Sequence, residues 1–436
     1  MIDFFNDIAS GACPTIDACV EVLGPHLDLL TQFRNTPQDA EWHAEGDVHI
    51  HTGMVLSEAY ALLRGPAEHL SLDQRLLFVL GALLHDIAKP MCTREQDVRG
   101  VVRTVARGHE AQGRSYLAPR LLELGLRYDL LESLLGLVGY HHEPKFLVAK
   151  SRPVGAYKRV CRLADPELLF WVEQADMRGR TCRDRDLAIE QIDMYRMFAE
   201  EYGAFCRGGE HVGEWRDRLF ESMRDYPSVA KDLVLATAQR DLEAGLIHSV
   251  EAAVARSFGY RDGFGELVVL VGPSGSGKTS FVKKWLEGYD VVSLDDLREE
   301  MSSGRSDQSN NDRVLAEARE RLKASLRKKR PVVWDATSLR KDFRSRCAKL
   351  GFDYGALVTF VVFHCPMDVC ARRNRDRADS VEAAVLERQI ERMEWPELDE
   401  AHRVVYLDEK HQVLAAFGFS DERPFGLSPS PRATVR

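Results

Sequence analysis

A chain of 436 residues, 44% hydrophobic and 29% charged, has the make-up of an ordinary globular protein of two or three domains, each half long enough to bury a core. No apolar run approaches the roughly 18 residues of a membrane span, and the opening Met1-Ile-Asp-Phe-Phe-Asn-Asp7 has no basic leader, so the expected location is cytoplasmic, with no membrane partner. The formal charge of -9 argues against indiscriminate coating of nucleic acid but allows a local basic groove, and nine scattered cysteines without a Cys-x-x-Cys pair read as small buried side chains rather than disulfides or zinc ligands.

In chain order, residues 1 to about 40 carry apolar side chains at helical spacing (Ile16, Cys19, Val20, Leu23, then Leu27, Leu29, Leu30) and are broken by Gly24-Pro25, which predicts two short packing helices. From His43 the character changes. His43, His49, His51, His85, Asp86, His109, His141, His142 and Asp176 fall within 134 positions, many at the ends of apolar helical runs. The sharpest piece is Leu76 to Leu84, which runs directly into His85-Asp86. A helix this apolar is buried, so its end lies at the floor of a cleft, where a carboxylate is costly unless a metal or a cation faces it. The dipeptide alone is more often a helix-end hydrogen bond. What makes it a candidate ligand pair is the set around it: His51 at the start of another apolar helix, His109 opening a helix after Arg107-Gly108, His141-His142 closing Leu131 to Tyr140, and Asp176 in a further helix. Neutral imidazoles with two carboxylates suit manganese, nickel, cobalt or iron, and a metal pair can lower the pKa of a water and clamp a phosphoester.

This order of residues resembles the HD-domain phosphohydrolases over roughly residues 40 to 205, and the stretches His43 to Thr52 and Ala175 to Arg180 are similar to the HD domain attached to bacterial CCA-adding enzymes. The resemblance implies a helical bundle holding one or two divalent metals (Mn2+, Ni2+ or Co2+ among them) through His51, His85, Asp86 and Asp176, with His109 and His141 or His142 completing a two-metal site. His43 and His49 are left between phosphate contact, support of a ligand, and surface. Arg180 is either a phosphate-binding guanidinium or half of an ion pair.

Residues 205 to 260 read as loops and one or two helices that finish this first domain, 1–258, and three glycines between Gly259 and Gly265 mark the expected boundary. Next comes the apolar run Glu266-Leu-Val-Val-Leu-Val271, the stretch Gly272-Pro-Ser-Gly-Ser-Gly-Lys-Thr279, and a helix-compatible segment from Ser280. Strand, glycine loop and helix fit the phosphate-binding pattern G-x-x-x-x-G-K-[ST] at every fixed position. The backbone from Gly272 through Ser274, Gly275, Ser276, Gly277 and Ser280 is expected to cradle the phosphates of ATP or another NTP. Lys278 would reach the β- and γ-phosphates, and Thr279 would hold Mg2+. Short strands follow at Asp290–Ser293, Pro331–Asp335, Leu357–Phe363 and Arg403–Leu407, with a polar loop at 302–310 and a helix from Asn311 to Lys328 between the first two. Alternation with helices predicts a parallel sheet. Asp335 ends its strand as a magnesium-facing acid does. Four arginines at 372, 373, 375 and 377 would repel one another without an anion between them, unless they form a solvated helix.

Over residues 264 to 410 these features are similar to the 5′-hydroxyl polynucleotide kinases. That resemblance implies Asp295 as base for the acceptor hydroxyl, with helix capping as the other reading of this residue. It also implies Arg298 and Thr337 on the acceptor, Asp335 with Thr279 on magnesium, and Arg373 and Arg377 as lid arginines, with Lys278 and Arg377 assisting transfer. The chain as a whole resembles bacterial fusions of an HD phosphoesterase with such a kinase: an all-α bundle, then an α/β P-loop domain at 264–419 and a tail, 420–436, expected to be disordered from its Pro, Ser and Arg content. The implied job is end healing on RNA or DNA, with a nucleic-acid ligase as the partner that joins the ends. Two other readings stay open, a small-molecule nucleotide-metabolism enzyme and an ATP-regulated nucleotide-sensing module.

Overall fold

The computed structural model describes residues 1–209, 211–261, 263–301, 311–377, 380–421 and 423–433; the polar loop expected at 302–310 lies outside them. The chain divides into two compact units, residues 1–213 with 243–245, and residues 214–242 with 246–436.

The first unit is helical. Before its core helices, the segment 1 to 40 forms helices Ile2–Ala9 and Ile16–Leu23 and a 3-10 turn at Asp28–Asn35, one element more than the spacing predicts. The core helices are Val48–Leu63, Leu72–Leu84, His109–Glu123, Tyr128–Tyr140 and Pro166–Arg178. Their starts are set by side chains that satisfy free amides. Asp47 accepts from the Ile50 N–H, Ser71 and Gln74 form a reciprocal capping box, and Asp165 accepts from Glu167 and Leu168 ahead of Pro166. Gly81 lets the central helix approach its neighbours: a β-carbon there would lie 2.9 Å from the Val172 side chain and 3.3 Å from that of Leu137. Every residue from Leu76 to Leu84 is buried, so His85 and Asp86 emerge inside the bundle. An antiparallel hairpin, β1 (Arg94–Val98) and β2 (Val101–Val105), interrupts the helices. It turns at Arg99-Gly100, both at positive φ (57° and 82°), as a two-residue hairpin turn requires. Asp39 holds it, accepting from the Thr104 N–H at 3.2 Å and pairing with Arg103 at 3.2 Å.

The second unit is built on β3 (Glu266–Val271), β4 (Asp290–Ser293), β5 (Pro331–Asp335), β6 (Leu357–Phe363), β7 (Arg403–Leu407) and β8 (Val413–Phe417), in spatial order β4-β5-β3-β6-β7-β8. The first five run parallel and β8 is antiparallel. Strands covered on both faces are written as near-continuous apolar runs, and all seven residues of β6 are buried. Between β5 and β6, β3 stands where the strand order reverses, so the loop leaving its carboxyl end opens into the crevice where such sheets bind ligands.

Two expectations about boundaries are corrected. The contacts do not divide between Gly259 and Gly265: residues 214–242 and 246–258 pack with the second unit. The reason is a local core of Leu219, Met223, Val234, Ala238, Ile247, Val250 and Ala253, together with Asp232, which pairs with Arg403 of β7 at 3.1 Å and accepts from the Ser420 N–H at 2.8 Å. Nor is the described tail loose. Leu427 is buried in the sheet core with Val268, Leu270 and Phe281, Pro429 bridges Val413, and Ser430 Oγ donates to Asp408 Oδ2 at 2.7 Å.

Candidate functional site

The first unit gathers its predicted residues at one buried centre. Asp86 lies between two histidines, Oδ1 3.1 Å from His109 Nε2 and Oδ2 3.1 Å from His85 Nε2. Asp176 Oδ1 lies 3.0 Å from His51 Nε2 and 3.9 Å from His85 Nε2, and the His141 ring stands 5.2 Å from that of His85 and 5.3 Å from that of His109. These groups come from five helices or helix ends and are almost wholly buried.

The far side of each ring shows what the near side is for. His85, His109 and His141 each set Nδ1 against the carbonyl three residues back, of Ala82, Ala106 and Val138, at 2.9, 2.7 and 2.8 Å. A carbonyl only accepts, so Nδ1 carries the hydrogen and Nε2 is left with a lone pair. His51 Nδ1 lies 2.9 Å from Glu45 Oε1, an ion-pair contact without hydrogen-bond geometry. The Nε2 atoms of His51, His85, His109 and His141 and both oxygens of Asp86 are buried without a hydrogen bond of proper geometry. Buried acceptors left so are expensive, and a divalent cation would satisfy them together. The donor set therefore fits one or two divalent metals.

Electrostatics agree. Burial pushes the Asp86 carboxyl up, but its contacts with His85, Lys89 and His109 hold it well below its usual value. Burial likewise raises Asp176, and Arg180, His51 and His85 outweigh it. Burial pushes His141 and His142 well down and keeps both rings neutral. Arg180 reaches both Asp176 oxygens with one guanidinium nitrogen, at 2.8 Å each, and is the partner of a buried carboxylate rather than a surface one. His43 lies 2.8 Å from the same Glu45 oxygen as His51, in a supporting position, whereas His49 pairs with Asp17 at 3.2 Å.

Residues that the sequence reading passed over complete the centre. Lys89 sits 2.7 Å from Asp86 Oδ2 and 2.5 Å from Gln38 Oε1. Its signal was the i,i+3 spacing from Asp86. Glu45 lies two residues from His43, and Lys145 lies three from His142. Lys145 Nζ is 3.1 Å from His142 Nδ1 and 2.9 Å from Glu173 Oε1, and burial carries Glu173 up to about 7.

In the second unit the loop after β3 turns through Gly275 (φ 79°) and Gly277 (φ 106°), a backbone that suits glycine. Crowding adds to this: a β-carbon on Gly275 would fall 2.3 Å from the Cys370 carbonyl oxygen, and one on Gly277 2.7 Å from His411 Nε2. Gly272 N–H donates to the Thr337 carbonyl at 3.0 Å and Ser274 N–H to Gln389 Oε1 at 2.9 Å, while the Ser276 hydroxyl is buried at the loop's floor. Thr279 and Ser280 are exposed on the first turn of helix Lys278–Trp285. Lys278 Nζ donates to the carbonyls of Gly272 and Pro273 at 3.0 and 2.7 Å. Burial pushes this ammonium down to about 8, against the pull of Asp335 and Asp295. Burial raises Asp335 at the end of β5, and Asp295 and Asp296 add to the effect.

Asp295 is not the helix cap. Ser293 Oγ takes that place, accepting from the Asp296 N–H at 3.2 Å, and the Asp295 carboxylate stands largely exposed and paired with Arg298 at 2.6 Å. Arg373 donates to the Glu409 carbonyl at 2.6 Å and reaches the loop, 3.6 Å from a β-carbon built on Gly277. Arg377 is exposed just beyond helix Met367–Arg375, and its charge acts on both Lys278 and Asp335. Arg344, unnoticed in the sequence, is wholly buried. It holds Glu400 through two bonds of 2.9 Å and the carbonyls of Ser338, Leu339 and Glu394, and so fixes the segment after Thr337.

Comparison with known families matches this layout. Residues 48–166 match the HD domain and residues 267–396 match the AAA domain. The first match takes in His51, His85, Asp86, His109, His141 and His142 and stops short of Asp176. No curated protein matches the chain. The chain thus joins an HD domain of phosphohydrolase type, whose class implies a divalent metal, to a P-loop, kinase-like α/β domain, whose class implies a nucleotide with Mg2+. Among the described residues no helix is long and apolar enough to cross a membrane.

Proposed function

We propose that this chain heals broken nucleic-acid ends. The first unit hydrolyses a 2′,3′-cyclic, 2′- or 3′-phosphate, and the second transfers the γ-phosphoryl of an NTP to a 5′-hydroxyl of RNA or DNA. The observation that carries the polynucleotide reading is the Asp295–Arg298 pair. With Ser293 serving as cap, Asp295 is an exposed carboxylate paired with Arg298 and lying in the field of Lys278 and Asp335. A hydroxyl acceptor needs such a group to take its proton, and an anionic acceptor needs a neighbouring guanidinium. Lys278, Thr279, Asp335, Arg373 and Arg377 would hold the nucleotide and its magnesium, Thr337 would line the acceptor side, and a nucleic-acid ligase would take the product. In the first unit, His51, His85, Asp86, His109, His141 and Asp176 would hold metal that activates a water.

The test uses the whole chain in two reactions. One contains labelled ATP, magnesium and a 5′-hydroxyl oligonucleotide; the other contains manganese or nickel and an RNA ending in a cyclic phosphate. Label on the oligonucleotide and loss of the cyclic phosphate are expected. Phosphorylation of free nucleosides with the oligonucleotide untouched would replace this reading with nucleotide metabolism.

A further inference from the structure

The histidines of the first unit are not all alike, and the difference lies in what faces Nδ1. For His85, His109 and His141 it is a main-chain carbonyl, and for His51 a carboxylate. A carbonyl only accepts, so the rings of His85, His109 and His141 present a bare Nε2. His142 is the exception. Its Nδ1 lies 3.1 Å from Lys145 Nζ, and an ammonium only donates. Lys145 is itself held, with Nζ 2.9 Å from Glu173 Oε1 and its main-chain N–H donating to Glu173 Oε2 at 3.0 Å. The Nδ1 lone pair of His142 is therefore used, and the hydrogen of the neutral ring sits on Nε2. A nitrogen bearing hydrogen cannot ligate a metal. The His142 side chain is also 16% exposed, against 0% for His51 and 1% for His85, which puts it at the rim rather than the floor.

We propose that His142 is not a metal ligand but a catalytic hydrogen-bond donor, its Nε2–H directed at a non-bridging oxygen of the phosphoester, and that Lys145 is the positioning residue that fixes this tautomer. The role of the donor rests on the phosphoester reading given above; the assignment of the hydrogen does not. His141, the adjacent residue with a 4.0 Å ring separation, is the ligand of the pair. Two neighbouring histidines of the same type thus divide the work through their second partners.

The test compares the full-length His142→Ala, His141→Ala and Lys145→Met variants and the His142→Ala/Lys145→Met double variant. Manganese content and affinity are measured by elemental analysis and calorimetry, and hydrolysis is followed on an RNA ending in a cyclic phosphate. His142→Ala is expected to keep wild-type manganese stoichiometry and an affinity within about threefold while losing about a hundredfold in kcat, the scale of a lost donor to a developing anion. His141→Ala is expected to lose metal. Lys145→Met should slow the reaction in the wild-type background and add nothing once His142 is gone, the signature of two residues acting as one. Loss of manganese by His142→Ala to the extent seen with His141→Ala overturns the proposal, and multiplying effects in the double variant overturn the part given to Lys145. A wild-type chain that binds manganese and hydrolyses no phosphoester would sink the functional reading, while the metal measurements still decide which nitrogen of His142 is free.

Discussion

Glu45 touches two histidines with one oxygen, His43 at 2.8 Å and His51 at 2.9 Å, and its second oxygen accepts from the Thr181 N–H at 2.8 Å. Burial would raise this carboxyl, yet those contacts hold it below its usual value, so it is an anion that fixes the His51 ring. Such outer partners of a ligating histidine are typically worth 10- to 100-fold in metal affinity. Glu45→Gln should weaken manganese binding by about that factor while the fold survives, as read by calorimetry and circular dichroism; unchanged affinity would remove Glu45 from the centre. In the other unit, Asp295→Ala should lower kinase turnover by about 10² or more, the usual scale of a lost acid-base group, with ATP affinity retained. A collapse of ATP affinity, or an unchanged rate, would show that the acceptor proton goes elsewhere.

At the scale of elements, the join of β6 and β7 contains a histidine that must stay neutral. His402 Nδ1 accepts the Val358 N–H at 3.1 Å, and burial, with Arg240 and Arg403 nearby, drives the ring down to about 3. In the unfolded chain the same ring takes a proton near pH 6.5. Between those values the unfolded state binds a proton that the folded state refuses, so this contribution to stability is complete above about 6.5 and falls as the pH drops below it, by at most about 1.4 kcal/mol per unit. Calorimetric melting between pH 8 and 5 should show the second unit losing stability on the acid side, with a shallower loss in His402→Gln. Identical slopes would exclude His402 as the cause. The sheet around this join was legible because β3, β6 and β7 are apolar runs buried on both faces, whereas β8, Val413 to Phe417, was not, since Ala415 and Ala416 dilute its pattern. The hairpin β1–β2 was equally hidden: Arg94 to Val98 has no apolar alternation, and Asp39, some 60 positions away, supplies the partners that hold it.

For the whole molecule, the predicted histidine and aspartate ligands of the buried metal centre all lie in the first unit, and the phosphate loop with its magnesium residues Thr279 and Asp335 lies in the second. Asp86→Ala should therefore abolish phosphoester hydrolysis and leave 5′-phosphorylation within about twofold, and loss of both activities from a soluble, folded variant would count against two independent sites. The ligands were readable because each stands where an apolar helix begins or ends, a position that pattern alone reveals. Their separation into bare acceptors and hydrogen donors was not, because it depends on whether a carbonyl or an ammonium faces the second nitrogen. The division near residue 213 was hidden for a related reason: the amphipathic helices at 214–258 declare an apolar face without saying which core it joins.

The seated tail has a practical reach. Its main chain runs beside β8, with Val413 N–H donating to the Ser428 carbonyl at 2.9 Å and Ser430 N–H to the Val413 carbonyl at 2.8 Å. Ser430 also pins Asp408, whose carboxylate accepts from the N–H groups of Lys410 and Gln412 and so shapes the turn that presses His411 toward Gly277. Residues 428–430 thus brace the rim of the phosphate loop from behind. Ending an expression clone near residue 420, the choice that composition alone recommends, should yield a protein with a lower melting temperature and weaker nucleotide binding than the full chain, both measurable in one thermal-shift titration with ATP.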